Sequence, residues 1–131
     1  MNYYQTELTR IRNQFFAKED LIKRVIHGKR FIDSNFSKRL NLNTVAGEAY
    51  IAKFHFIRTF KTFYGLTPYQ YLTSVRIQSA KKLLRRNHNV SEVCLAVGFE
   101  SVNSFTNLFK KITGTPPAYF RSSQNTKSNF R

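Results

Sequence analysis

The chain is written twice. Leu42, Val45, Ala46 and Ala49 recur as Val90, Val93, Cys94 and Val97 at a shift of 48 residues. Past the next turn the shift becomes 49, and Phe56, Arg58, Phe60, Lys61, Gly65 and Pro68 map onto Phe105, Asn107, Phe109, Lys110, Gly114 and Pro117. A single inserted residue therefore falls where each unit turns, the place where a change of length is best tolerated. A repeat of this kind confines the fold to two copies of one small supersecondary unit.

Each copy reads as a short helix, a tight turn and a longer helix. In the second copy Asn89 stands at an N-cap, with Glu92 three residues on in capping-box position. Val90, Val93 and Val97 form a stripe at helical spacing. Gly98 suits the turn because it has no Cβ to clash in a left-handed conformation, and Ser101 can cap the next helix. In the first copy Asn41 is the cap, but Tyr50 replaces the turn glycine and Ala52 replaces the serine. That turn should be strained and less well capped. At about 100° per residue, Phe56, Phe60 and Phe63 share one side of the first long helix, as do Phe105, Phe109 and Ile112 in the second. Roughly opposite lie Phe54, Ile57, Arg58 and Lys61, matched by Asn103, Thr106, Asn107 and Lys110. The dry side builds each unit; the other is free to meet a partner.

Between the copies, "GLTPYQYLTSVRIQSAKKLLRRN" predicts a connector helix over residues 69–86, with Leu72, Val75, Ile77, Ala80, Leu83 and Leu84 on a broad apolar face. Its length of about 27 Å is commensurate with a DNA turn of about 34 Å. Arg76, set among apolar neighbours, is expected in a buried ion pair. Upstream, Leu21, Val25, Ile32 and Phe36 predict a helix over residues 20–36 packed on the first unit. Tyr4, Leu8, Ile11 and Phe15 predict a separate amphipathic helix, either docked on the same domain or serving as a self-association surface. The expected fold class is all-α, with two homeodomain-like helix-turn-helix subdomains joined by a long connector helix, plus an extra N-terminal helix. The segments are residues 1–18, 19–68, 69–87 (connector), 88–121 and a frayed polar tail, 122–131.

Charge narrows the partner. Twenty-two Lys and Arg against seven Asp and Glu give a net +15, which calls for a polyanion: nucleic acid or an acidic membrane surface. No apolar run approaches membrane-spanning length, and a cytoplasmic location is expected. The single Cys94 reads as a small buried hydrophobe, and it and three scattered His make no metal site. Glu48, Glu92 and Glu100 have no His or Cys constellation around them, so neither catalytic residues nor a cofactor is expected. Nor is a small-molecule switch: two thin units that spend their Phe and Leu on their own cores should leave no concave pocket of roughly 300 Å³ or more.

The stretches "LNTVAGEAYIAKFHFIRTFKTFYGLTPYQYL", "VRIQSAKKLL" and "VSEVCLAVGFESVNSFTNLFKKITGTPPAYFR" resemble the paired helix-turn-helix domain of AraC/XylS-family transcription regulators. The most specific part is "GF" followed by "F..LFKK..G..P..YFR", and the likeness spans residues 21–121. It implies a DNA-binding regulator, activation through RNA polymerase, and double-stranded DNA as partner. The family often carries Arg where this chain has Asn107, and polar groups where it has Phe54 and Ile57, so the architecture transfers and the target sequence does not.

A major groove admits a helix. Arg58 could pair with guanine, Asn103 and Asn107 with adenine, while Phe54, Ile57 and Thr106 could pack on thymine methyls. Lys53, Lys61, Lys110 and Lys111 suit phosphates, as do the helix N-termini at Asn41 and Asn89. Two unequal readers in one chain predict an asymmetric site rather than a palindrome. The alternatives are a non-specific DNA-coating protein, which has no use for two differently equipped helices, and a protein-interaction adaptor using Phe54 and Ile57, which leaves the charge unexplained.

Overall fold

The computed structural model describes residues 2–129, with side chains described as far as Gln124. Seven helices appear among the described residues: α1 Tyr3–Asn35, α2 Leu42–Glu48, α3 Lys53–Tyr64, α4 Pro68–Arg85, α5 Val90–Ala96, α6 Val102–Thr113 and α7 Pro117–Asn129. They form two compact units. The first is Met1–Ile32 with Asn41–Pro68; the second is Asp33–Leu40 with Tyr69–Arg131.

In the first unit Val25 and Ile32 of α1 are buried along with Val45, Ala46, Ala49, Phe56 and Phe60. Gly28 explains how α1 comes so close: a Cβ there would lie 2.7 Å from the Phe56 ring and 3.3 Å from the Ala49 Cβ. The second unit repeats the plan around Val93, Cys94, Val97, Phe105 and Phe109, with Ile77, Ala80 and Leu84 of α4 in the place that α1 takes in the first. Each fully buried Phe contributes about 1.5–3 kcal/mol. The paired rings stand tilted, 5.6 Å apart for Phe56–Phe60 and 5.7 Å for Phe105–Phe109.

Both turns close the same way. Beyond α2 the Tyr50 N–H donates to Gly47 O and the Ile51 N–H to Ala46 O, each at 3.1 Å. Beyond α5 the Gly98 N–H donates to Leu95 O at 3.2 Å and the Phe99 N–H to Cys94 O at 3.0 Å. This double bond pattern requires a left-handed residue just past the helix. Gly98 takes it at φ +99°, while Tyr50 takes it at φ +57° despite its side chain. The expected strain in the first turn is present, and Ala52 makes no side-chain cap to α3.

Five expectations need correction. Residues 3–35 form one helix, not two. The "KED" interruption at 18–20 breaks the apolar stripe but contains no helix breaker, and Arg24 pairs with Asp20 at 2.8 Å to staple the helix there. Its outer part is not docked, since every residue from Leu8 to Asp20 is exposed. Phe36 belongs to the second unit, not the first. Phe63 and Ile112, placed on the dry sides by projection, are exposed rims at 40% and 48%. The tail continues as α7 to Asn129 instead of fraying at 122; its last two residues lie outside those described.

Candidate nucleic-acid interface

The helix N-caps set where each helix, and so its outward face, begins. Asn41 Oδ1 accepts from the Thr44 N–H at 2.9 Å and Asn89 Oδ1 from the Glu92 N–H at 2.8 Å. Ser101 Oγ accepts from the Ser104 N–H at 3.3 Å. Asn41 and Asn89 thus spend a side-chain oxygen on their own helices, leaving backbone N–H groups as what those ends can offer a phosphate.

On α3, Phe54 and Arg58 are exposed and Ile57 is half-buried. On α6, Asn103 and Asn107 are exposed and Thr106 is half-buried. The same exposure therefore recurs at repeat-equivalent positions on both helices, on the side away from the buried Phe pairs. Lys61, Lys110 and Lys111 are exposed beside them; Lys53 is half-buried, its ammonium 5.6 Å from the Phe54 ring centre. Among the described residues the Arg58 guanidinium makes no ion pair, unlike that of Arg24.

Sequence reasoning missed the braces. In the first unit the Arg24 Nη1 donates to Tyr50 O at 2.8 Å, tying α1 to the strained turn. In the second, Arg76 is half-buried, but no ion pair holds it among the described residues. Its Nε donates to Phe36 O at 2.8 Å and its Nη2 to Lys38 O at 2.9 Å, with the guanidinium 5.7 Å from the Phe99 ring centre. Two carbonyls supply negative potential without a second buried charge to desolvate. Burial lowers its pKa, partly countered by Tyr69. Glu100, the residue inserted in the second turn, pairs with Arg39 at 3.1 Å. These contacts are separated by tens of residues, so no local spacing announced them.

Concave space of the size not expected does exist. An open groove of about 510 Å³ runs between α1 and the first turn, lined by Leu21, Arg24, Tyr50 and His55 among others. A second, of about 380 Å³, is lined in the second unit by Arg39, Arg76, Ser101 and Leu108. No group of three metal-ligating side chains occurs among the described residues, and none of their helices is long and apolar enough to cross a membrane.

Two short-helix, turn, long-helix units with matched outward faces define a paired helix-turn-helix protein. A helix-turn-helix domain family matches residues 45–123. The chain is 35% identical over 101 residues to the bifunctional transcriptional activator/DNA repair enzyme AdaA of Bacillus subtilis, covering 76% of this chain and 48% of that protein. It is 32% identical to the HTH-type transcriptional activator AarP of Providencia stuartii, covering 71% and 70%. The chain thus spans about half the length of AdaA, and its match is to only part of that protein. Among solved structures, the DNA-binding domain of AdpA, crystallised with a target DNA, superposes with a TM-score of 0.75 at 25% identity, covering 79% of this chain and 94% of that one. An AraC-type regulator from Chromobacterium violaceum shares the fold, with a TM-score of 0.71 at 20% identity, covering 78% and 92%. The chain belongs to the AraC/XylS family of transcription regulators and carries that family's helix-turn-helix domain.

Proposed function

We propose that the chain binds double-stranded DNA sequence-specifically and activates transcription, with α3 and α6 entering successive major-groove segments. One observation carries the reading: the repeat keeps the exposure of the outward faces while changing their chemistry. Phe54, Ile57 and Arg58 offer apolar contact and a guanidinium; Asn103, Thr106 and Asn107 offer amides and a methyl. A protein that only coated DNA would gain nothing from that difference. Arg58 reads guanine, the two Asn read adenine, and the apolar groups meet thymine methyls. Lys53, Lys61, Lys110, Lys111 and the N-terminal N–H groups near Asn41 and Asn89 hold phosphates and set register. Activation is supported by AdaA and AarP, both named activators, and RNA polymerase is the protein partner that activation would engage.

Selection of bound duplexes from a random pool at fixed salt tests this. The expected result is an asymmetric element with base preferences in two groove segments about 10 bp apart. Enrichment no better than random, with affinity set by salt alone, overturns sequence-specific reading.

A further inference from the structure

We propose that the outer part of α1 is a parallel, two-stranded dimerisation seam that pairs this chain with a second copy of itself. One face of α1 carries Tyr4, Leu8, Ile11, Phe15, Ile22 and Val25, the alternating four- and three-residue spacing of a heptad seam, broken only at Lys18. The inner end of that stripe is covered, since Val25 is fully buried in the first unit. The outer end has no cover: Tyr4 is 76% exposed, Leu8 62%, Ile11 55% and Phe15 63%. The helix is continuous between the two, so a core-type face runs on into solvent. Four side chains of this size present on the order of 500 Å² per copy, near 1,000 Å² for a pair, the lower end of a specific interface.

Charge selects the occupant. The first twenty residues hold three basic groups (Arg10, Arg12, Lys18) and three acidic ones (Glu7, Glu19, Asp20), so they contribute zero to the net +15. A surface for DNA or an acidic membrane would share the surplus found elsewhere. A surface meant to meet its own copy must be free of it, and this one is. The flanks choose the orientation. With Leu8 and Phe15 at a positions and Tyr4 and Ile11 at d, Glu7 falls at g and Arg12 at the following e. Parallel pairing sets Glu7 of each copy, which in the single chain pairs with its own Arg10 at 2.6 Å, beside Arg12 of the other, making two interchain ion pairs. Antiparallel pairing sets g against g and gives Glu7 only Gln14 to face. The seam is short, so the dimer should be weak and concentration-dependent.

Sedimentation of the whole chain without DNA, over roughly 1 to 100 μM, tests the seam apart from any DNA reading. The expected result is a monomer–dimer equilibrium. Leu8→Glu with Ile11→Glu should weaken it at least about tenfold while helix content and core amide protection stay unchanged. Glu7→Arg alone should weaken it by about threefold or more, and adding Arg12→Glu should restore it. Tyr4→Cys should cross-link between copies only when the helices run parallel. A chain that stays monomeric, a dimer indifferent to Leu8→Glu with Ile11→Glu, or assembly beyond the dimer overturns the seam. Failure of the charge swap to restore pairing overturns its parallel register. Recruitment of a monomeric chain to uncharged lipid vesicles overturns the choice of a second copy.

Discussion

Gly98→Ala is the sharpest structural test of how α6 is held. A Cβ at this position would lie 2.8 Å from Phe36 O, 3.1 Å from Ser37 O and 3.1 Å from Arg76 Nε. The backbone there is at φ +99°, which costs an L-residue about 1–2 kcal/mol before any clash. Two of the three neighbours are backbone carbonyls, so relief must come from moving the 36–38 segment, whose carbonyls at Phe36 and Lys38 bind Arg76. Weakening one charge-assisted bond adds about 1.5–3 kcal/mol, for a total loss of about 2.5–5 kcal/mol in the second unit. The repeat supplies an internal control. Tyr50→Gly relieves about 1–2 kcal/mol of left-handed strain and gives back about 0.4–1 kcal/mol in unfolded-chain entropy, a net gain of up to roughly 1.5 kcal/mol. Its ring is 78% exposed, so little packing is lost. Amide exchange at Phe105 and Phe109 reads the second unit, and at Phe56 and Phe60 the first. A Gly98→Ala protein within about 0.5 kcal/mol of the parent refutes the steric argument.

Arg58→Ala should cost about 1–3 kcal/mol of affinity for the selected duplex and relax one base position, whereas Lys110→Ala should weaken all duplexes alike and reduce the salt slope by about one. Equal, sequence-independent losses on titration at several salt concentrations would reassign Arg58 to phosphate. Ala52→Ser supplies α3 with the cap that Ser101 gives α6, and should stabilise the first unit by about 0.5–1 kcal/mol in denaturant unfolding. Burial raises the Cys94 thiol above its ordinary 9.0, so the unfolded thiol ionises first as pH climbs. Stability from this group is complete below pH 9 and declines as pH rises through the folded value; Cys94→Ala should flatten that part of the stability profile relative to the parent.

What the sequence disclosed was local. Asn41, Asn89 and Ser101 cap the helices that their positions predicted, and Tyr50 and Ala52 mark the weaker turn because each departs from its partner in the repeat. A cap or a turn depends on residues a few places apart. The outward faces were legible by the same periodicity, though projection at a fixed angle cannot say where a core ends, and Phe63 and Ile112 fell beyond its rim. Arg76 shows the other limit. Its partners are main-chain carbonyls 40 and 38 residues away, and every residue has a carbonyl, so composition could not reveal them. The continuity of α1 was hidden by a polar patch that breaks the apolar stripe without breaking the helix.

The two units are alike in their repeat and unlike in what braces them. The second has Gly98 for its turn, Ser101 for its cap and Arg76 reaching from α4 to the 36–38 segment. The first has a strained Tyr50, an uncapped α3, and a compensating contact from outside the repeat, Arg24 of α1 on the Tyr50 carbonyl. Gly28 on the Phe56 ring adds a second contact from the same helix, one with no slack for even a methyl group. α3 therefore draws on α1 for support that α6 obtains from its own turn and cap. If two copies pair at the outer end of α1 as proposed, the pairing acts on the same unbroken helix that braces the first unit at its inner end.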